Sequence, residues 1–337
     1  MADLDGDGVA DLLSGSWPGE IFFFKGLGKG DFAPPAKLKD RDGKSLNLGG
    51  GFQADESGEW FTVAGDAKYE TGDKGQKVIV YEGQRYEVPA GKRGGITGTA
   101  SAVHAFDWDA DGDFDLIVGD IRGRVWIVPN EGTAKAWAFG KERPIGIPDG
   151  SMAPDGDAGP FVADWDGDGL PDLLVGCGNG GVQWFRNTGT RTAPGLAHGQ
   201  WLVPPRPGGW GEAPKEPTRG LRAKICVADW NGDGRPDLLL GDYATLKPDL
   251  PEPTAEQKAE HERLRKEFEE VKKRYHALAE QVGKAKDSEE RGRLEKEQGE
   301  IGRQWGEIQG KLPRESEPHG WIWLFLRKPA QTPSTIR

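Results

Sequence analysis

The chain has few of the residues that mark disulfide scaffolds or membrane proteins. Cys177 and Cys226 are its only cysteines among 337 residues. They fit no metal or redox spacing, and we expect buried free thiols, with a pairing between neighbouring strands left open. No run approaches the roughly 18 apolar residues of a transmembrane helix, and the start does not resemble a signal peptide. Because Met1 lies two residues before the first acidic repeat, we expect the native chain to begin upstream, with any export signal there.

Histidine is also scarce, and the five histidines are scattered without a recognisable spacing for a metal or a nucleophile. The sequence has no G-x-S-x-G, H-E-x-x-H or phosphate-binding loop. These absences disfavour an enzyme. What is abundant is glycine, with 52 residues, and tryptophan, with 13. That composition is typical of many short strands joined by tight turns, and it predicts an all-β repeat protein.

Four times the chain repeats an acidic nonapeptide with oxygen-bearing side chains at positions 1, 3, 5 and 9. We call these loop 1 (3–11), loop 2 (107–115), loop 3 (164–172) and loop 4 (229–237). Carboxylates at this density repel one another unless a hard cation lies among them, and Ca²⁺ takes roughly 6 to 8 oxygen ligands. The repeat therefore predicts about four calcium sites.

Position 6 is glycine in every loop, whereas position 7 varies, as expected if residue 7 binds metal through its backbone carbonyl. The helix-loop-helix calcium hand is disfavoured because no glutamate follows at position 12. The predicted ligands are Asp3, Asp5, Asp7, Val9 and Asp11 in loop 1; Asp107, Asp109, Asp111, Asp113 and Asp115 in loop 2; Asp164, Asp166, Asp168, Leu170 and Asp172 in loop 3; and Asp229, Asn231, Asp233, Arg235 and Asp237 in loop 4. Asn231 replaces a carboxylate, so loop 4 is expected to bind most weakly.

The net charge of −11 is concentrated in these loops, which hold sixteen carboxylates. The rest of the chain sums to about +5, and bound calcium would neutralise much of the acidity. The charge therefore gives no reason to expect nucleic acid or membrane insertion.

Apolar runs surround the loops and predict strands. One leads into each of loops 2–4, one leads out of every loop, and a second amphipathic strand follows. A unit of about 50 residues in tandem is the pattern of propeller blades. Between loops 1 and 2 we expect one degenerate unit, with strands at 59–63 and 77–81. Tryptophan at loop position 2 (Trp108, Trp165, Trp230) is expected to pack between units rather than to bind ligand.

A segment of different composition interrupts the last unit. Thr254–Gln257 has the pattern of a capping box, and apolar residues from Leu264 to Val282 follow a heptad spacing. A second helix is expected from about 288 to 312. We predict β-propeller blades over residues 1–250 and 314–337, and an antiparallel, coiled-coil-like helical hairpin over 251–313.

The pattern D-x-D-G-D-G-x-x-D-L-L-x-G, followed by G-x-V-x-W/F and N-x-G, resembles the FG-GAP/VCBS repeats of integrin-α-like β-propellers, particularly secreted bacterial ones. The resemblance covers residues 1–250 and 320–329, and it implies structural calcium and an extracellular, periplasmic or cell-surface location. It favours a non-enzymatic binding or adhesion module with a protein or carbohydrate ligand. Two alternatives stay open: a polysaccharide lyase or hydrolase, and a scaffold that self-associates through residues 254–312.

Overall fold

The structure is a computed structural model that describes residues 2–17, 19–48, 52–54, 60–63, 68–73, 77–81, 84–87, 94–97, 102–148, 152–207, 216, 218–285, 287–314 and 316–328. The chain forms two compact units. The first comprises Met1–Glu212, Thr218–Ala244 and His319–Arg337, and the second comprises Ala213–Pro217 and Thr245–Pro318.

The strands are short and numerous, as the glycine content predicts. In chain order they are β1 (Leu12–Gly15), β2 (Ile21–Phe24), β3 (Gly26–Gly28), β4 (Asp31–Phe32), β5 (Ala36–Lys37), β6 (Phe52–Ala54), β7 (Trp60–Val63), β8 (Lys68–Thr71), β9 (Lys77–Tyr81), β10 (Gln84–Glu87), β11 (Gly94–Thr97), β12 (Ala102–Phe106), β13 (Asp115–Gly119), β14 (Val125–Val128), β15 (Arg143–Pro144), β16 (Gly159–Ala163), β17 (Asp172–Gly176), β18 (Val182–Phe185), β19 (Gln200–Val203), β20 (Leu221–Ala228), β21 (Asp237–Leu246), β22 (Glu317–His319) and β23 (Ile322–Phe325).

Four antiparallel sheets carry the acidic loops. Sheet I contains β1, β2 and β5; sheet II contains β12–β15; sheet III contains β16–β19; and sheet IV contains β20, β21 and β23. Loops 2, 3 and 4 each join two paired strands, so the expected strand–loop–strand unit is confirmed. Loop 1 precedes β1, and Ala2 forms a single antiparallel bridge to Asp11 at its base.

Strands β13 of sheet II and β17 of sheet III are buried on both faces because a sheet packs on each side of them. In sheet II, Leu116 and Val118 pack with residues of sheet I, whereas Ile117 packs with sheet III. Leu174 of sheet III in turn packs with Leu238 of sheet IV. The four sheets are therefore stacked in the order I, II, III, IV.

The stretch between loops 1 and 2 differs from the expectation of one degenerate unit. Strands form at Trp60–Val63 and Lys77–Tyr81, but they belong to different three-stranded sheets. β7 pairs with β6 and, in parallel, with β11, whereas β9 pairs with β8 and β10. Among the residues that the structure describes, sheets I and II share one core directly.

The tryptophans at loop position 2 do not all have the expected environment. Trp108 and Trp165 are buried, but the prediction is wrong for Trp230, which is 62% exposed. In loops 1–3 the backbone carbonyl of position 2 accepts a hydrogen bond from a side chain of the next sheet or of a segment beside it. Leu4 accepts from Trp137 Nε1, Trp108 accepts from Arg191 Nη1, and Trp165 accepts from Arg327 Nη1. Among the residues described, no such donor reaches the Trp230 carbonyl.

The second unit contains two helices, α1 (Ala255–Lys284) and α2 (Ser288–Lys311), which form the predicted hairpin. Thr254 and Gln257 make both bonds of the capping box, and Asp287 caps α2. The apolar seam packs as predicted, with Leu264, Val271, Leu278, Leu294, Ile301 and Ile308 buried. Over the residues described, neither helix has the apolar length needed to cross a bilayer.

Both cysteines are free thiols, as expected, but the expected burial is wrong for Cys226. Cys177 is buried and Cys226 is exposed. Burial raises the pKa of the Cys177 thiol to about 12, so this group is unreactive at neutral pH.

His104 in β12 makes stability depend on pH. Its ring lies 4.2 Å from that of Phe161, and its Nε2 is buried without a hydrogen-bond partner. Burial lowers the pKa of His104 to about 4 from its usual 6.5. Between these values the unfolded chain binds the proton and the folded chain does not, so stability is full above pH 6.5 and falls as pH drops toward 4.

We therefore expect the His104→Phe variant to lose less stability than the parent protein when the pH falls from 7 to 5. The difference should be about 2 kcal/mol, measured by urea unfolding in EDTA at both pH values. Carboxylates that titrate in this window are common to both proteins and cancel in the comparison. Equal losses in the two proteins would show that His104 is not the group responsible.

Candidate metal centres in the acidic loops

All four loops share one internal turn. The backbone N–H of position 7 donates to Oδ1 of the position 5 aspartate in each of them, at 2.9 Å in loops 1 and 3, 3.1 Å in loop 2 and 3.0 Å in loop 4. The position 6 glycines have positive φ throughout, as the sequence predicts. This turn gives the four loops the same backbone course between positions 5 and 7.

Position 1 is held in the same way in loops 1, 3 and 4. Its carboxylate accepts the N–H groups of positions 5 and 6, as Asp164 accepts from Asp168 at 3.1 Å and from Gly169 at 2.9 Å. In loop 2 the Asp107 carboxylate instead has the Arg191 guanidinium at 3.4 Å, and its Oδ1 is buried without a partner. Loop 2 therefore has a different local geometry.

Position 4 of loop 2 contributes to that difference. Gly6, Gly167 and Gly232 occupy this position elsewhere with φ between 69° and 80°, whereas loop 2 has Ala110 at φ 63°. A left-handed conformation costs an L-residue roughly 1–2 kcal/mol, partly offset by the greater freedom of glycine in the unfolded chain.

Ala110→Gly should therefore raise the free energy of unfolding by about 0.5–1 kcal/mol. The matched control is Gly167→Ala, which places a methyl group in open space at the same position of loop 3 and should lower stability by a similar amount. Urea unfolding of both variants in EDTA tests the pair, and a loss of stability in Ala110→Gly would contradict the strain at Ala110.

The position 9 aspartates have a role that the spacing did not reveal. Their carboxylates are clasps: one oxygen accepts the N–H of loop position 2, and the other accepts a backbone N–H at the end of the second strand. Asp172 accepts from Trp165 at 3.1 Å and from Asn187 at 2.7 Å. Asp11, Asp115 and Asp237 make the same pair of bonds. Each clasp ties its loop to the sheet.

A basic side chain from a later strand end contacts the carboxylates of loop 1 and of loop 3. Lys25 forms ion pairs with Asp5 and Asp7, and Arg186 lies 2.6 Å from Asp166 and 2.8 Å from Asp168. Lys25 directly precedes Gly26, and Arg186 directly precedes Asn187; the N–H groups of Gly26 and Asn187 donate to the position 9 aspartates. Lys25 and Arg186 therefore occupy equivalent positions. The Lys25 ammonium lowers the pKa of Asp7. The turn bond from Leu170, and then Arg186, lower the pKa of Asp168.

Loop 2 has a proline, Pro129, at this position. In the described part of the chain no ion pair involves Asp109 or Asp111. Burial, and then the charges of Asp111 and Asp109, raise the pKa of Asp113. Burial is also the main reason that the pKa of Asp115 rises to about 6. Loop 2 is thus the most strongly anionic of the four.

Carboxylate oxygens converge in three loops. Asp3, Asp5 and Asp11 each offer one oxygen within 4.8 Å of the others, as do Asp107, Asp109 and Asp111, and Asp164, Asp166 and Asp172. In loop 4 the Asn231 amide donates to Asp233 at 3.0 Å, and Arg235 pairs with the same carboxylate. Loop 4 therefore offers less free negative charge.

Buried oxygens without a hydrogen-bond partner test whether these residues fit a cation. Such oxygens belong to Asp5, Asp107, Asp109 and Asp113. Buried polar atoms are nearly always satisfied, and an oxygen-only set of this kind suits a hard divalent ion. The donor set therefore fits Ca²⁺, and it fits best in loop 2, which supplies three of the four atoms.

Comparison with known proteins identifies the repeats. Residues 107–175 and 164–240 match the family described as FG-GAP-like repeat. No curated protein sequence matches the chain. Among solved structures, it is similar to an Agrocybe aegerita lectin described with specific recognition of non-reducing terminal N-acetylglucosamine, at 20% identity over 72% of this chain and 61% of that chain, with a TM-score of 0.30.

The chain is also similar to BBS1N in complex with ARL6DN, in crystals soaked with mercury or with lead. Identity is 16% in both, coverage is 72% and 71% of this chain and 74% and 75% of the other, and the TM-scores are 0.24 and 0.20. These TM-scores are too low to establish a shared fold, so the family match is the finding that counts. Residues 107–240 therefore contain two FG-GAP-like repeats.

Proposed function

We propose that the chain is a calcium-binding β-propeller that acts as an exported binding or adhesion module. The observation that carries the proposal is the set of buried, unpartnered carboxylate oxygens in the acidic loops, strongest in loop 2. Stacked sheets I–IV, each with its loop at an equivalent place, support tandem blades. FG-GAP repeats are typical of extracellular proteins, which supports the location.

Calcium in this role is structural. When bound, the ion would neutralise the carboxylates that converge in each loop, which are those of positions 1, 3 and 9 in loops 1 and 3 and of positions 1, 3 and 5 in loop 2. The position 7 carbonyl would be a further ligand. Extracellular calcium modules typically bind with Kd of about 10⁻⁴–10⁻³ M, an affinity that suits calcium levels outside the cell. The ion would add stability because it binds only the folded loops.

Thermal unfolding in EDTA, in CaCl₂ and in MgCl₂ tests the proposal. We expect a Ca²⁺-specific rise in Tm, because Mg²⁺ requires a tighter octahedral site than these loops provide. Each filled site adds about 1.4–2.7 kcal/mol when calcium is about ten- to a hundredfold above Kd. Identical melting curves in EDTA and CaCl₂ would refute metal binding, and equal shifts with both ions would refute calcium selectivity.

A further inference from the structure

A cleft of about 590 Å³ lies in the first unit, away from the acidic loops. Its volume is within the range of roughly 300–1,000 Å³ that is typical of ligand sites. The end of β1, the segment before β16, the start of β20, the middle of β21 and the segment before β23 form it. The lining side chains that matter here are Trp17, Asp157, Arg222, Lys224, Tyr243 and Trp321.

Aromatic side chains give the cleft flat apolar walls. Trp17 is 58% exposed and Tyr243 is 40% exposed, although both are large enough to stabilise a core if buried. Trp321 is partly exposed and stacks on His319, with the ring centroids 5.8 Å apart. Amphipathic rings held at an open cleft suit a ligand with both C–H faces and polar edges, as sugars have.

Four charged side chains line the same cleft: the cations Arg222 and Lys224 and the carboxylates Asp157 and Asp242. Asp157 is nearly buried and accepts from Lys224 Nζ at 3.0 Å, with Arg222 Nε at 3.7 Å. Asp242 accepts the N–H groups of Gly220 and Trp321 and the indole N–H of Trp323. Both carboxylates are therefore engaged by the protein, and both cations pair with Asp157. The Arg222 and Lys224 side chains nevertheless remain 44% exposed each, so a ligand in the cleft can reach them from the solvent side.

Arg222 lines the cleft at a point where the backbone of β20 is irregular. The pairing of β20 with β21 shifts register between Leu221 and Lys224, and Arg222 has φ 56°. The equivalent strands β12 and β16 pair with β13 and β17 without a shift. A non-glycine residue in this conformation costs about 1–2 kcal/mol, and bulges and strain of this kind concentrate at binding sites.

We propose that this cleft binds an acidic saccharide. Trp17 and Tyr243 would contact the faces of the sugar rings, and Arg222, assisted by Lys224, would bind the carboxylate or sulfate, for which a guanidinium offers a planar pair of donors. The inference rests on the proposed function as a binding module, but it uses no residue of the calcium loops.

The decisive variant is Arg222→Gly, because glycine tolerates the positive φ while the guanidinium is lost. Calorimetric titration of the full chain in CaCl₂ with polygalacturonate, heparin and neutral dextran is the assay. We expect binding to at least one acidic polymer and none to dextran. Arg222→Gly should weaken binding at least tenfold with an unchanged or higher Tm. Trp17→Ala should also weaken it at least tenfold, which a purely ionic contact would not show.

The matched control is Arg143→Gly, which removes an exposed arginine outside the cleft and should leave binding unchanged. Equal affinity of the parent and both cleft variants would place the polymer elsewhere, overturning this site while leaving the module intact. No binding to either acidic polymer would overturn the ligand class. A missing calcium response together with Arg222-dependent binding would reject the loops and keep the cleft.

Discussion

Replacing Asp172 by alanine should lower the free energy of unfolding by about 4 kcal/mol, with or without calcium. Asp172 is fully buried, and its two oxygens accept the N–H groups of Trp165 and Asn187. Removal of the carboxylate leaves both donors without a partner, and each unsatisfied buried group costs about 1–3 kcal/mol. For a unit of this size the melting temperature should fall by roughly 10 °C.

Two variants separate the clasp from metal binding. Asp172→Asn retains one acceptor oxygen but turns an amide donor toward the second N–H, so its loss of stability should be about half as large. Asp166→Asn changes a carboxylate of the same loop that accepts neither of these N–H groups. In EDTA it should be nearly neutral. If Asp172→Ala destabilised the protein only in the presence of calcium, the carboxylate would act through the ion and the clasp would be rejected.

The sequence predicted the elements whose signal is local. Short continuous runs of aliphatic residues identified β13 and β17, and a heptad spacing identified the helical seam, since each pattern lies within one stretch of sequence. The pairing of β7 with β11 and the direct packing of sheets I and II could not be read in this way. They depend on contacts between distant segments, and neither strand contains a residue that specifies its partner.

In the acidic loops, too, features that depend on neighbouring residues could be predicted and features that depend on distant residues could not. Spacing alone located the carboxylate clusters, because the ligands of one loop are neighbours in sequence. The clasp was missed because its second donor, the Asn187 N–H, lies 15 residues from the Asp172 carboxylate that accepts from it. The cations Lys25 and Arg186 lie 18 to 20 residues from their carboxylates. The identical offset of these two bases in loops 1 and 3 was a signal that could have revealed them.

The largest share of the calcium response should come from loop 2. Calcium that enters loops 1 or 3 must displace Lys25 or Arg186, each of which pairs with two carboxylates. In loop 2, Arg191 pairs with Asp107 alone, at 3.4 Å, and Asp109 and Asp111 belong to no ion pair among the residues described. If loop 2 binds with Kd of about 10⁻⁴ M and loop 3 with about 10⁻³ M, then about 10 mM calcium adds about 2.7 kcal/mol through loop 2 and about 1.4 kcal/mol through loop 3.

Matched double variants measure how much of the calcium-induced stabilisation comes from loop 2 and how much from loop 3. Asp109→Asn with Asp111→Asn should remove the larger part of the Ca²⁺-induced stabilisation, and Asp166→Asn with Asp168→Asn the smaller part. The loop 2 pair should also stabilise the protein in EDTA, because repulsion among its carboxylates is relieved. The loop 3 pair should not, since it removes two ion pairs with Arg186.

An exchange of the equivalent bases tests the cause directly. Pro129→Lys introduces an ammonium beside loop 2 and should raise stability in EDTA while reducing the response to calcium. Lys25→Met frees the loop 1 carboxylates, so it should do the opposite: lower stability in EDTA and a steeper rise as calcium is titrated. Calcium affinities from calorimetry and melting temperatures should change together in both variants. If neither substitution altered the affinity, the built-in cations would not compete with calcium, and the ranking of the loops would need another cause.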